Sequence, residues 1–159
     1  MKDYNGFSGS ERMIVQKIMD ELQRRGIINW IDQPCEICTC EHSIMHSHCE
    51  DYSNPFDFHV LCIECHMKLH MRFRYPGYWI KHLLDVKNGY VCPIYLTNRD
   101  YYKAPKLRFK YPEFEHIDPK TIGNEWFHRL KLTPINKNKF KCYNDEQVRI
   151  IIKPTDLKS

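Results

Sequence analysis

The chain has 159 residues, a formal net charge of +4 and 28% charged residues, and its mean hydropathy is −0.61. No apolar run approaches the roughly 20 residues that a bilayer-spanning helix requires, which excludes a membrane partner of that kind. The charge is too small to mark a nucleic-acid binder by itself, and the length suits one domain or one domain with an appendage. The amino terminus, MKDYNGFSGSERM, has no apolar signal-peptide core, so the expected compartment is the cytoplasm. In a cytoplasmic chain, paired cysteines hold metal more readily than they form disulfides.

Residues 1–9 read as a loose arm with Gly6 and Gly9. Ser8 and Glu11 have capping-box spacing, and Ile14, Ile18 and Leu22 repeat every four residues with Val15 and Met19 beside them. This predicts a helix over about residues 10–25, with Gly26 as its stop. Arm and helix form a first segment, 1–30, and Ile27–Trp30 is a short apolar link.

The second segment, 31–88, holds the densest chemistry. Cys35-Glu-Ile-Cys38 and Cys62-Ile-Glu-Cys65 are two Cys-x-x-Cys knuckles, and His42, His46, His48, His59, His66 and His70 lie between or just after them. Residues 43–49 alternate as a strand, 52–55 form a turn, and 56–61 have the composition of a returning strand. The second knuckle opens a helix over His66–Met71, which Pro76-Gly77 breaks, and Tyr78–Val86 forms another short helix. Knuckle, hairpin, knuckle and helix together give a treble-clef outline. A structural Zn²⁺ prefers four thiolates in a tetrahedron, and Cys35, Cys38, Cys62 and Cys65 supply them in two pairs; Cys40 can replace Cys38. On a helix His66 and His70 share one face, and the strand carrying His46 and His48 passes over it. A second, hard divalent metal at His48, His66 and His70 would keep positions open for phosphate and water.

The third segment, 89–159, is harder to read. Residues 90–120 interleave prolines, aromatics and bases, including Tyr101, Tyr102, Lys103, Lys106, Arg108 and Tyr111. Residues 125–132 suit a short helix and 147–152 a strand, so the segment reads as a small mixed α/β extension. The fold class expected for the whole is α+β, with a zinc-bound treble-clef core.

The run His48-Cys-Glu-Asp-Tyr-Ser-Asn-Pro-Phe-Asp57-Phe-His-Val-Leu-Cys62-Ile-Glu-Cys65-His66-Met-Lys-Leu-His70 resembles the HNH endonucleases, the ββα-metal family. It is most similar to small phage-type members with a zinc-knuckle scaffold. With the first knuckle, the resemblance covers residues 35–70. It implies a metal-dependent DNA endonuclease, encoded by a phage or prophage, that hydrolyses phosphodiester bonds with Mg²⁺ or another divalent ion. It implies metal or phosphate positions at His66 and His70, and an orienting role for Asp57 at the family's Asn position. The family has two adjacent residues, a metal ligand and a general base, where this chain has His48 and Cys49. A thiol with a reference pKa near 8.5 is a poor base at neutral pH beside an imidazole near 6.5. Three readings stay open. A one-residue shift makes His48 the base, His46 completes the site from the same strand face, or the site is degenerate. In the last case the chain is a zinc module that binds nucleic acid or a host protein as a regulator or inhibitor. Lys68, Arg72, Arg74 and Lys81 are the expected phosphate contacts, with the bases of 103–110 beside them.

Overall fold

Ser8 starts the first helix as the spacing predicts. In a computed structural model, which describes residues 1–106 and 109–134, helix α1 spans Gly9–Arg24. The Ser8 hydroxyl accepts from Glu11 N–H at 3.2 Å, and Glu11 Oε2 accepts from Ser8 N–H at 2.8 Å. Its exit is a Schellman turn. Gly26 stands at φ +74°, its N–H reaches Gln23 O, and Ile27 N–H reaches Leu22 O, each at 3.0 Å. The buried face carries Val15, Ile18, Met19 and Leu22.

Four further elements follow among the described residues: strands β1, Met45–Cys49, and β2, Phe58–Cys62, and helices α2, Ile63–His70, and α3, Pro76–Lys87. A short helix α4, Asn98–Lys103, comes next, and single 3-10 turns complete the set. β1 and β2 pair in one two-stranded sheet, so the class is α+β. The 147–152 strand expectation lies outside the described residues.

The contacts divide the chain into two units. Met1–Trp30 and Cys49–His59 belong to the first, and Ile31–His48 and Val60–Thr133 to the second. In the first unit the expectation of a loose arm fails. Tyr4 and Phe7 are buried and bridge each other across a turn at Asn5-Gly6, both at positive φ. Tyr4 Oη donates to Glu50 Oε2 at 2.9 Å, Phe7 packs on Tyr52, and Arg12 Nε donates to Tyr52 Oη at 3.0 Å.

In the second unit the element ends move for local reasons. Residues 43 and 44 leave the strand because they bond Tyr95 instead. Ser43 Oγ accepts from Tyr95 N–H at 2.9 Å, and Ile44 N–H donates to Tyr95 O at 2.6 Å. α2 begins three residues before the predicted His66, directly behind an extended Cys62, and a 3-10 turn over Met71–Phe73 follows it. Pro76 opens α3 rather than merely closing α2, since its missing N–H costs nothing at a first helical position. Gly77 is required there, because a Cβ would stand 1.9 Å from Tyr111 O. Trp79, Ile80 and Leu83 of α3 and Leu69 of α2 are fully buried, each worth roughly 1.5–3 kcal/mol of transfer free energy. The predicted helix over 125–132 shrinks to a 3-10 turn, Trp126–His128. The Lys131 carbonyl instead accepts from Arg72 Nε at 2.8 Å.

Candidate metal centres

Two adjacent stripes of α2 divide the chemistry of the second unit. Cys65 and Leu69 are buried on one; His66 and His70, one turn apart, are half-buried on the next.

The thiol stripe joins a cluster of six buried cysteines. Cys35, Cys38, Cys40 and Cys62 lie with all sulfurs within 4.8 Å of one another, and so do Cys38, Cys62, Cys65 and Cys92. Either group could hold a metal ion. Among the described residues no such group contains both Cys35 and Cys65, so the four knuckle cysteines expected around one ion are divided between two groups. The backbone explains the two additional members. Thr39 at φ +66° turns the first knuckle so that Cys35 N–H bonds Cys40 O at 3.0 Å, which folds Cys40 back toward Cys35. Gly89, at φ +99°, ends α3 in a turn whose Tyr90 N–H bonds Asp85 O; the chain then runs past Cys92 to the Ser43–Tyr95 contacts. The first knuckle is tied to β2 by Glu36 N–H to Val60 O at 2.9 Å.

All six are free thiols. Burial pushes the Cys65 thiol up, whereas hydrogen bonds from Cys35 and Cys40 pull Cys38 down. Six sulfurs gathered in the interior are a donor set suited to a soft, thiophilic metal. His82 borders the cluster: its Nε2 lies 3.2 Å from Cys65 Sγ and its Nδ1 3.3 Å from Lys68 Nζ. An ammonium only donates, so Nδ1 accepts and Nε2 carries the proton toward sulfur. Burial and the neighbouring Lys68 lower the His82 pKa to about 3, which keeps that ring neutral.

The imidazole stripe faces β1. His48, His66 and His70 offer nitrogens within 4.8 Å of one another, a second group that could hold a metal ion. The His48 ring stands 5.2 Å from His66 and 5.1 Å from His70, centroid to centroid. The tautomers follow from one exposed amide. Asn98 Oδ1, 2.8 Å from His46 Nε2, only accepts, so the His46 proton is on Nε2. His46 Nδ1 then accepts from His66 Nδ1–H at 2.8 Å, which leaves the His66 lone pair on Nε2. That atom accepts from His70 Nε2–H at 2.9 Å. Asn98 and His46 therefore orient His66 from behind, a familiar support for a metal-binding imidazole. Burial lowers the His46 pKa, in keeping with its neutral role.

The other candidates take different places. Cys49 follows His48 on β1, so its side chain takes the opposite strand face. It is buried, and its thiol, 3.6 Å from Pro55 O, is pushed up to about 12 by burial and by Asp57, Asp51 and Glu50. Asp57 is exposed and belongs with Cys49 to the first unit. Arg72 departs from the expected phosphate contact. It is fully buried, donates to the Lys131 and Leu69 carbonyls, and stacks over Phe73. Arg74 is exposed, with its guanidinium over the Tyr75 ring. Lys68 and Lys81 line a cavity of about 420 Å³ with Tyr78, Tyr90, Tyr101 and Tyr111. Lys68 lies over the Tyr78 and Tyr90 rings; Lys81 pairs with Asp85 at 2.6 Å and lies over Tyr111.

Sequence reasoning missed Cys92, Asn98 and His82. Thr97 and Asp100 have capping-box spacing, a signal that would have found α4 and with it Asn98. Cys92 has no neighbouring cysteine to form a knuckle. No helix among the described residues is long and apolar enough to cross a membrane. Comparison with family models, curated proteins and solved structures gives no match.

Proposed function

We propose that the chain is a metal-dependent DNA endonuclease of the HNH type, of the kind that phages carry. The single observation behind this reading is the His48, His66 and His70 group, assembled from β1 and the face of α2 beside a cysteine cluster. The order knuckle, β1, β2, knuckle, α2 supports a treble-clef ββα-metal core, with a zinc-loaded cysteine scaffold holding strand and helix in register.

His66 Nε2 and His70 Nε2 would hold a divalent ion such as Mg²⁺ or Mn²⁺. When bound, that ion supplies a Lewis acid for a phosphodiester oxygen. His48 faces both rings from the strand and takes the proton of the attacking water, or adds a third ligand. Asn98 and His46 hold His66 in its working tautomer. Cys49 takes no part as a base, because its thiol stays protonated at neutral pH. Arg74, Lys68 and Lys81 serve the phosphate backbone without reading bases.

Incubation with supercoiled plasmid in Mg²⁺, Mn²⁺ or Ni²⁺ tests the reading. Nicked or linear product is expected from the native chain and not from His48→Ala. Retarded but intact DNA under every metal would replace the enzyme with a non-cleaving, nucleic-acid-binding zinc module.

A further inference from the structure

We infer that the cysteine cluster is a binuclear zinc site in which Cys38 and Cys62 bridge two ions. One ion takes Cys35 and Cys40 as its terminal ligands, and the other takes Cys65 and Cys92. The grouping of the sulfurs points to this arrangement. The two quartets share two members, Cys38 and Cys62, and no more. Two tetrahedra that share an edge have this composition: six ligands, two of them common. With a Zn–S bond of about 2.3 Å, each edge of a tetrathiolate site is about 3.8 Å long. The shared pair, Cys38 Sγ and Cys62 Sγ, is 3.8 Å apart, and the terminal pair Cys65 and Cys92 is 3.6 Å apart.

A single ion leaves part of this cluster without a purpose. Held by the Cys35 quartet, it leaves the buried Cys65 and Cys92 unliganded; held by the other, it leaves Cys35 and Cys40. The four-cysteine site of the two knuckles alone would leave the buried Cys40 and Cys92 unliganded. Charge points the same way. Six thiolates around one Zn²⁺ carry four uncompensated negative charges in a dry interior, and around two they carry two. His82 Nε2–H donates to Cys65 Sγ and Lys68 stands behind His82, so part of that remainder is offset on the Cys65 side. His82 acts there as a hydrogen-bond donor to sulfur and not as a ligand. The bridges also have a structural use. Cys38 closes the first knuckle and Cys62 joins β2 to α2, so both ions pull on the same strand–helix corner. Cys92 would fasten the chain that leaves α3 to that corner.

Two-zinc occupancy rests on the thiolate scaffold proposed above and is independent of cleavage. The full chain is loaded with ¹¹³Cd²⁺ in place of zinc and its ¹¹³Cd spectrum recorded. Two thiolate-bound signals coupled to one another are expected, because bridging sulfurs transmit the coupling. One such signal, or two without mutual coupling, would overturn the proposal. Zinc analysis of Cys92→Ala and Cys40→Ala gives a second reading: each should contain one zinc fewer than the native chain. Unchanged zinc in both variants would also overturn it. Plasmid cleavage, scored separately, decides the nuclease reading whichever spectrum is found.

Discussion

The cysteine cluster and the histidine cluster share a helix, yet differ in their access to water. All six cysteines are buried, at 4% exposure or less; in the histidine cluster His48 is equally buried at 1%, whereas His66 and His70 are half-buried and Asn98 is exposed. Closed tetrathiolate sites are structural, and sites with open positions do chemistry. Under the proposed function, one turn of α2 separates a site that holds the fold from a site that exchanges ligands.

The largest effect is expected at a bridging cysteine. Cys38→Ala should release both ions. Structural zinc contributes about 10–16 kcal/mol and a domain's whole stability is only about 5–15 kcal/mol, so the second unit should lose its cooperative melt. Circular dichroism and metal analysis check this. A folded variant that keeps its zinc would show the cluster to be dispensable.

His70→Ala should leave the thiolate-bound zinc and the melting profile in place while plasmid cleavage falls by about 10²–10⁴-fold. Equal loss of zinc and cleavage would merge the two sites into one. A smaller effect is expected at Asn98→Ala. Without its amide the His46–His66 tautomers are no longer fixed, and cleavage or Mn²⁺ affinity should drop about 10-fold or somewhat more. Calorimetric titration with Mn²⁺ measures it. Cys49→Ala should do least. Its thiol, pushed up to about 12, is protonated across the neutral range and gains basicity only in strong alkali. An ordinary thiol already titrates near about 8.5, and the shift at Cys49 carries it further from neutrality. Cleavage by the variant at near-neutral pH should therefore match the native rate. A marked loss would restore Cys49 as the base.

Local signals were the legible part of this fold. The capping box of α1, the i, i+4 relation of His66 and His70, and the two knuckles are each contained within a few residues. The turn after β1 and the strand pair were readable for the same reason, with ends shifted by Ser43, Ile44 and Tyr95. What stayed hidden depends on chain segments meeting at a distance. Cys92 reaches the cluster only because α3 reverses at Gly89 and Tyr95 docks on Ser43. Arg72 looked like one basic residue among several, and only packing shows it spent on the Lys131 and Leu69 carbonyls. Tyr4 and Phe7 looked like part of a loose arm because their partners, Glu50 and Tyr52, lie more than forty residues on.

The central claim is that a closed thiolate scaffold and an open imidazole site work separately. The most direct measurement treats the native chain with EDTA, counts the metal that remains, and then assays supercoiled plasmid with and without added Mn²⁺. The account predicts retained zinc, no cleavage without Mn²⁺, and nicked or linear DNA once Mn²⁺ returns. Zinc lost together with activity, or intact plasmid under every metal, would contradict it.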